Sequence, residues 1–449
     1  MKMKLFTSLF ALIALVNAGF AQQADTARKV NAFSLQQAVD YAKKNNVQVK
    51  NALVDYQIQK QVNRETTAAA YPQLSASGSF QDYLDIPTSL LPGEVFGGAA
   101  GTFIPVKFGT KYTATGGFDV SQLLFDGQVF VGLQARRTVL EFAQKQADVT
   151  TEMINVNVQK LYYQLVVGRQ QMTSIDANID RFQKLLDDTK KIYDQGFAEK
   201  LDVDKVSVQL NNLQTEKIKT QSQLDAGNAA LKFLMNMPQK DLLVLTDSIT
   251  EDKIKENVLA DDYKYEDRKE FQLLTLNKKL NEYNIRRYKL SYLPTLAAFG
   301  SYQKNAQRND FDFFKGGGQW FTTSLVGLKL TVPIFDGFAK SSRVNQAKLQ
   351  LQKTNNNIDN LKESIDNDVV QARLKITAAL ITVDNQKRNM QLAEKVYNST
   401  KLKYDQGLGA NQEIYTAQAE LKVAQNNYYS ALYDAIIAKI DFLKATGKL

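Results

Sequence analysis

The chain has 449 residues, a formal charge of +9, and neither cysteine nor histidine. That excludes a disulfide framework and a thiolate metal site, and it removes the commonest general base and metal ligand. No phosphate loop G-x-x-x-x-G-K-[ST] and no G-x-G-x-x-G after a strand is present, so the chain reads as a non-enzyme without cofactors or metal. Its Lys and Arg are dispersed among Asp and Glu, the pattern of solvated helix faces and not of a nucleic-acid patch.

Residues 1–21 read as a secretory signal: Lys2 and Lys4, an apolar run from Leu5 to Val16, then Gly19-Phe20-Ala21 as a small-x-small site with cleavage before Gln22. The run is too short to cross about 30 Å of hydrocarbon as a helix. Ser34-Leu35-Gln36-Gln37 is a capping box, and a helix is predicted from there to about Ala70, ended by Pro72. The period then changes. Leu74, Ala76, Gly78 and Phe80 alternate with Ser75, Ser77, Ser79 and Gln81, which predicts a two-faced strand. A loop over 82–111 carries Gly and Pro together with Leu90, Leu91, Val95, Phe96, Phe103 and Ile104, more apolar surface than a solvated loop needs. A second strand follows, with Tyr112, Ala114, Phe118 and Val120 against Thr113, Thr115, Asp119 and Ser121.

The longest stretch runs from Phe125-Asp126-Gly127 to Tyr193-Asp194-Gln195-Gly196, with no proline and, after Gly132, one interior glycine. Its apolar residues step by four and three: Ile154, Val158, Leu161, Leu165, Gly168, Met172, Ile175, Ile179, Phe182, Leu186. A 3.5-residue period predicts a coiled-coil helix, on the order of 100 Å long at about 1.5 Å per residue. A shorter helix is predicted from about Leu201 to Met235, stopped by Pro238, then a mixed insert with one strand-like run, Leu242 to Leu245.

From Tyr263 the order returns: helix to about Tyr292, a strand from Pro294-Thr295-Leu296 matching Pro72-Gln73-Leu74, an aromatic loop, and a strand with Val326, Leu328 and Leu330. A second long helix runs from Phe335-Asp336-Gly337 to Tyr404-Asp405-Gln406-Gly407, and a last helix from about Gln412 to Ala445. Its stripe, from Ile365 to Tyr397, is smaller and more polar than the first. The chain therefore divides into a signal (1–21), a first repeat (22–237), an insert (238–262) and a second repeat (263–449).

Four strands leave two open edges, and small barrels need about eight. A homotrimer removes both difficulties: twelve strands close a ring above twelve helical rods. Strands of about ten residues suit a tilted membrane-spanning barrel. Asp119 and Lys329 then face a wet lumen, and Tyr83, Tyr112, Trp320 and Phe321, near strand ends, form an aromatic girdle against outer-membrane lipid. A soluble hairpin with those aromatics as core is the other reading of the same pattern.

The sequence resembles the TolC-like outer membrane factor family over nearly the whole mature chain. The resemblance rests on Leu35-x-x-Ala38-x-x-x-Ala42-x-x-Asn45-Asn46, two Pro-x-Leu strand starts, two Phe-Asp-Gly strand ends and two Tyr-x-x-Gly helix-tip turns, repeated in order. It implies an α+β channel-tunnel: a trimeric barrel in the outer membrane of a Gram-negative bacterium and a helical tunnel in the periplasm. It also implies a periplasmic adaptor and, through it, an inner-membrane efflux pump or secretion ATPase that energises a passive exit duct. The rival of a different class is a periplasmic coiled-coil scaffold or adaptor without a pore. Gly196-Phe197 and Gly407-Leu408 read either as simple left-handed helix caps or as tips that seat the adaptor. Asp202 and Glu413 read either as first-turn dipole partners or, under threefold symmetry, as carboxylate rings of a periplasmic gate. The resemblance implies a gate held by Tyr and Arg on acidic neighbours; Tyr404 matches the Tyr, whereas Gly409 stands at the Arg position, so the resting gate is either looser or held by another residue such as Lys205.

Overall fold

The structure, a computed structural model, describes residues 29–249, 254–255 and 262–449. The expected signal, its cleavage site before Gln22 and part of the insert lie outside these residues.

Strand β1 is Val30–Phe33. Helix α1, Leu35–Asn45, starts with the capping box: Ser34 Oγ accepts from Gln37 N, and Gln37 Oε1 accepts from Ser34 N at 2.9 Å. The helix predicted to continue to Ala70 is instead interrupted. Asn46 is extended at ψ 133°, and α2, Val47–Ala68, starts afresh. The cause is side-chain chemistry: Asn46 is buried, and its Nδ2 donates to the Leu234 carbonyl at 2.7 Å. Asn competes with helix backbone in this way.

The strands are β2 Gln73–Asp82, β3 Thr88–Pro92, β4 Phe103–Lys107 and β5 Tyr112–Phe125. The predicted loop 82–111 thus contains a hairpin, β3–β4, around a 3-10 turn at Gly93–Phe96. Helix α3 is Gly127–Asp194, 68 residues, entered through Asp126, whose Oδ1 accepts from Gln128 N at 2.7 Å. Gly127 has no room for a side chain, since a Cβ there would lie 2.8 Å from Leu290 Cβ. Helix α4, Lys200–Leu234, ends at Asn236, which adopts a left-handed φ of 56° while Met237 N closes on Lys232 O. Strand β6, Leu242–Leu245, pairs in parallel with β1, a partner the sequence pattern did not reveal. The second half comprises α5 Lys269–Leu290, β7 Thr295–Arg308, β8 Phe321–Thr331, α6 Ala339–Asp405 (67 residues) and α7 Asn411–Ala445.

The chain forms two compact units. One comprises Met1–Val47, Ile154–Val258 and Ile376–Ile440. Its core includes the expected 3.5-period stripe, with Ile154, Val158, Leu165, Ile175, Phe182 and Leu186 buried. Phe182, Leu186, Leu210, Leu213, Tyr397 and Leu421 make one cluster from α3, α4, α6 and α7. Higher up, buried Tyr162 donates from Oη to the Phe33 carbonyl at 3.0 Å and accepts from Asp247 N at 3.3 Å, locking the β1–β6 pair onto α3. Burial, and then the Asp247 carboxylate, push the Tyr162 phenol up to about 12.

The other unit comprises Gln48–Met153, Leu259–Lys375 and Asp441–Leu449. It holds a four-stranded antiparallel sheet in the order β2-β5-β7-β8. It also holds a polar clamp. Buried Arg268 donates to the Ala445 carbonyl at the end of α7 and faces Glu270 and Asp368 at 3.3 and 3.7 Å. Asp366 accepts from the Tyr263 and Tyr265 hydroxyls at 2.6 and 2.9 Å. Among the described residues no helix is long and apolar enough to cross a membrane.

Candidate functional site

The register of the sheet decides which residues share a face. Asp119 lies opposite Ser75 on β2 and Ser301 on β7, and Lys329 lies opposite Ala297, so both sit on the face carrying Ser77, Thr115 and Gln303. Val120, Leu328, Leu74, Phe118 and Tyr302 take the other face. Those apolar residues are exposed, Val326 to 90%. The polar face also carries apolar residues, among them Leu123, Phe299, Phe321 and Leu325; the Phe299 ring covers Gly327, where a Cβ would meet its Cζ at 2.8 Å. Both edges, β2 and β8, have no strand beside them among the described residues.

The four expected girdle aromatics do not behave as one set. Tyr112 stacks on Phe80 at 5.9 Å and meets Phe311 edge-on, and Trp320 meets Phe313 at 6.4 Å. Phe80 also contacts Phe311 and Phe313, so these rings form one cluster on the apolar face. Arg308 caps it, its guanidinium 5.0 Å from the Phe313 centroid and 2.8 Å from Asp312 Oδ1. Tyr83 belongs to the polar face, donating to Gln81 Oε1 at 3.2 Å, and Phe321, opposite Asn305, faces the same way. Sequence reading missed Phe80, Phe311 and Arg308; the density of aromatics over 311–321 was the available signal.

The two helical hairpins turn alike. Gly196 has φ 81° and Gly407 φ 71°, both left-handed, where a Cβ is disfavoured. Phe197 N donates to Ile192 O at 3.0 Å, and Leu408 N to Lys403 O at 2.9 Å, the six-to-one bond of a Schellman cap. The apolar residue after such a glycine normally packs back on its helix. Here Phe197 is 82% exposed and Leu408 78% exposed. The cap reading is therefore true of the glycines and leaves the two apolar side chains without a purpose inside the protomer.

Beside the tips, Asp202 and Glu413 each stand in a helix first turn. Asp202 lies 3.9 Å from Lys205 Nζ one turn on, a pair within one helix that holds no second helix. Glu413 is exposed with no charged partner among the described residues. Tyr404 is half-buried against the tip core, and its Oη has no hydrogen-bond partner among the described residues. Thr189 lies beside it, but its hydroxyl donates to the Leu185 carbonyl at 2.8 Å. Burial raises the Tyr404 phenol. At Gly409 a Cβ would stand 3.0 Å from Tyr404 N, so the turn packs its backbone against Tyr404. Polar links between α4 and α7 come from elsewhere: Gln209 Nε2 donates to Tyr415 Oη at 2.8 Å, and Glu216 accepts from Lys422 Nζ at 2.6 Å and from Asn426 Nδ2 at 3.2 Å.

The profile of the family described as outer membrane efflux protein matches residues 266–448. The chain is 21% identical over 336 residues to the outer membrane protein TolC of Vibrio cholerae, 74% of this chain and 76% of that one. It is 20% identical over 413 residues to the alkaline protease secretion protein AprF of Pseudomonas aeruginosa, 89% and 83% of the two chains. The solved outer membrane protein VceC of Vibrio cholerae superposes with a TM-score of 0.71 at 14% identity, over 92% of this chain and 96% of that one. The chain is similar to the TolC-like outer membrane efflux proteins, by a profile over its second half and by relatives about one-fifth identical. Its fold is the α+β channel-tunnel fold of those solved outer membrane channels. The family's relatives are channel and transport proteins.

Proposed function

We propose that three copies of this efflux-family chain close a twelve-stranded outer-membrane barrel, β8 of one copy pairing with β2 of the next. The single observation that supports this best is the sheet itself: two bare edges, one exposed apolar face and one exposed polar face. Such a sheet is an aggregation hazard in water and a barrel segment in lipid. In this reading the repeats 22–237 and 263–449 each supply one strand pair, after removal of a signal peptide at 1–21, and 238–262 is the equatorial insert. Asp119 and Lys329 line the lumen. Gly196-Phe197 and Gly407-Leu408 seat a periplasmic adaptor, which connects the duct to an inner-membrane pump or secretion ATPase. The duct is passive and carries no chemistry. Asp202 and Glu413 ring its periplasmic mouth, with Tyr404 free to donate to a neighbouring copy and Gln209–Tyr415 holding the two hairpins of one copy together.

Mass in detergent and conductance in planar bilayers test the reading. A trimer that resists denaturing gel conditions until heated, and that conducts, is expected. Lys329→Glu should leave assembly intact and shift selectivity toward cations. Leu328→Arg should block assembly, since a cation on the lipid face near mid-membrane costs about 2–4 kcal/mol. A non-conducting, heat-insensitive chain would favour the pore-free periplasmic scaffold.

A further inference from the structure

The β3–β4 hairpin lies in the connection between β2 and β5, at the end of the sheet away from the helices. Its register pairs Leu90 with Pro105 and Pro92 with Phe103 on one face, and Leu91 with Ile104 on the other. Leu90 and Phe103 are exposed, and at the turn Val95 is 74% exposed with Phe96 close behind. The hairpin forms its own two-stranded sheet, joined to no other strand among the described residues. A lone two-stranded hairpin is marginal in water, and one with an apolar outer face more so, because nothing repays the cost of ordering it. Something must cover it.

We propose that the cover is the same hairpin from the other two copies, the three meeting on the threefold axis to form an apolar constriction over the outer end of the barrel. This rests on the trimer reading above. Continuity argues for it: the hairpin springs from β2, the edge strand that carries the seam between copies, so symmetry delivers three hairpins to one mouth. Reach argues for it too. Twelve strands spaced about 4.8 Å and tilted about 40° enclose a radius of about 12 Å, whereas a hairpin of five-residue strands extends about 17 Å. Each hairpin can therefore span from wall to axis. An apolar ring of this kind gates by dewetting, so ions pass poorly while an apolar or bulky cargo that parts the hairpins passes. The β7–β8 loop does not compete for the place, since Phe311 and Phe313 are folded onto the opposite, apolar face of the sheet through Phe80.

The absence of cysteine makes the test clean. In intact outer membranes, mild oxidation of Val95→Cys should give disulfide-linked pairs of chains. Phe314→Cys, which is 91% exposed on the other loop, should not. Replacing 88–107 by a short Gly-Ser linker should raise single-channel conductance roughly twofold or more. Leu90→Ser with Phe103→Ser, which keeps the backbone, should move conductance the same way. Trimers in which Val95→Cys cross-links no better than Phe314→Cys, with conductance unchanged in both hairpin variants, would overturn the constriction and leave the trimer standing. Burial of the Val95→Cys thiol from a membrane-impermeant reagent without cross-linking would overturn it in favour of lipid. A chain whose mass is that of a monomer would remove the trimer reading and this inference together.

Discussion

Helices α3 and α6 are nearly equal in length, open from the same Phe-Asp-Gly and close on the same Tyr-x-x-Gly, yet they bury themselves differently. Along α3 the large apolar residues are covered on more than one side: Val156, Tyr162, Val166 and Leu185 are buried in addition to the stripe. Helix α6 buries a single row, Ile365, Val369, Ala372, Ile376 and Val383. It leaves a second row bare, with Val370, Leu374, Ile381, Leu392 and Val396 exposed. That second row keeps helical spacing, one residue or about 100° around from the first. The duplication thus produced one helix finished within its own protomer and one that is half finished. In the proposed trimer the bare row of α6 is the surface a neighbouring copy covers.

The largest expected effect breaks the comparison outright. Leu374→Asp with Ile381→Asp should abolish trimers, read as mass in detergent, while helix content by circular dichroism is kept. Leu165→Ala on α3 should instead lower protomer stability by about 2–5 kcal/mol. If the α6 pair cost stability and left trimers intact, the bare row would be a solvated surface.

A smaller effect tests what α3 has and α6 lacks. Tyr162→Phe leaves the Asp247 amide without its partner and the Phe33 carbonyl with only the Thr246 N–H, at about 1–3 kcal/mol. The wild type should also lose stability in alkali. Its phenol is raised from about 10 to about 12 in the fold, so the stabilisation is whole below pH 10 and gone once pH passes 12. Denaturant midpoints from pH 9 to pH 12 should fall more steeply in the wild type than in Tyr162→Phe.

At the hairpin tips the halves converge again, and the comparison is sharpened by breaking one at a time. Phe197→Asp and Leu408→Asp should each weaken capture of the periplasmic adaptor and together abolish it, with no change in melting temperature, because both side chains are bare. Capture that survives the double change would leave the tips as caps alone. The smallest effect is expected from Tyr404→Phe. The buried hydroxyl has no partner among the described residues, so stability should be unchanged within about 0.5 kcal/mol while open probability in bilayers rises.

The long helices and all four barrel strands were legible because their periods, 3.5 and 2, persist over many residues and recur. The hairpin β3–β4 was not: Pro87, Pro92, Pro105 and several glycines read as loop, and its apolar residues fall on both faces. The break at Asn46 carries neither glycine nor proline, and arises from a bond to Leu234, 188 residues away. The paired acids of the tips were visible in sequence as first-turn residues. The polar links between α4 and α7 were not: Lys205 turns to its own helix, and the helices are joined by Gln209 with Tyr415 and by Glu216 with Lys422 and Asn426, polar residues with no pattern around them.

The parallel pair β1–β6 joins Val30 to Leu242, so its first strand is made long before its second. At about 5–20 residues per second of synthesis, the stretch from Val30 to Leu242 takes on the order of 10–40 s. Through that interval the amino-terminal strand waits unpaired and the hydroxyl of Tyr162 has only half its lock. The β1–β6 pair is thus a late event, a form of delayed commitment that keeps the chain pliable while the rest of it is made. A nascent chain arrested before Leu242 should be cleaved by protease near Phe33, and one arrested well past Leu245 should resist.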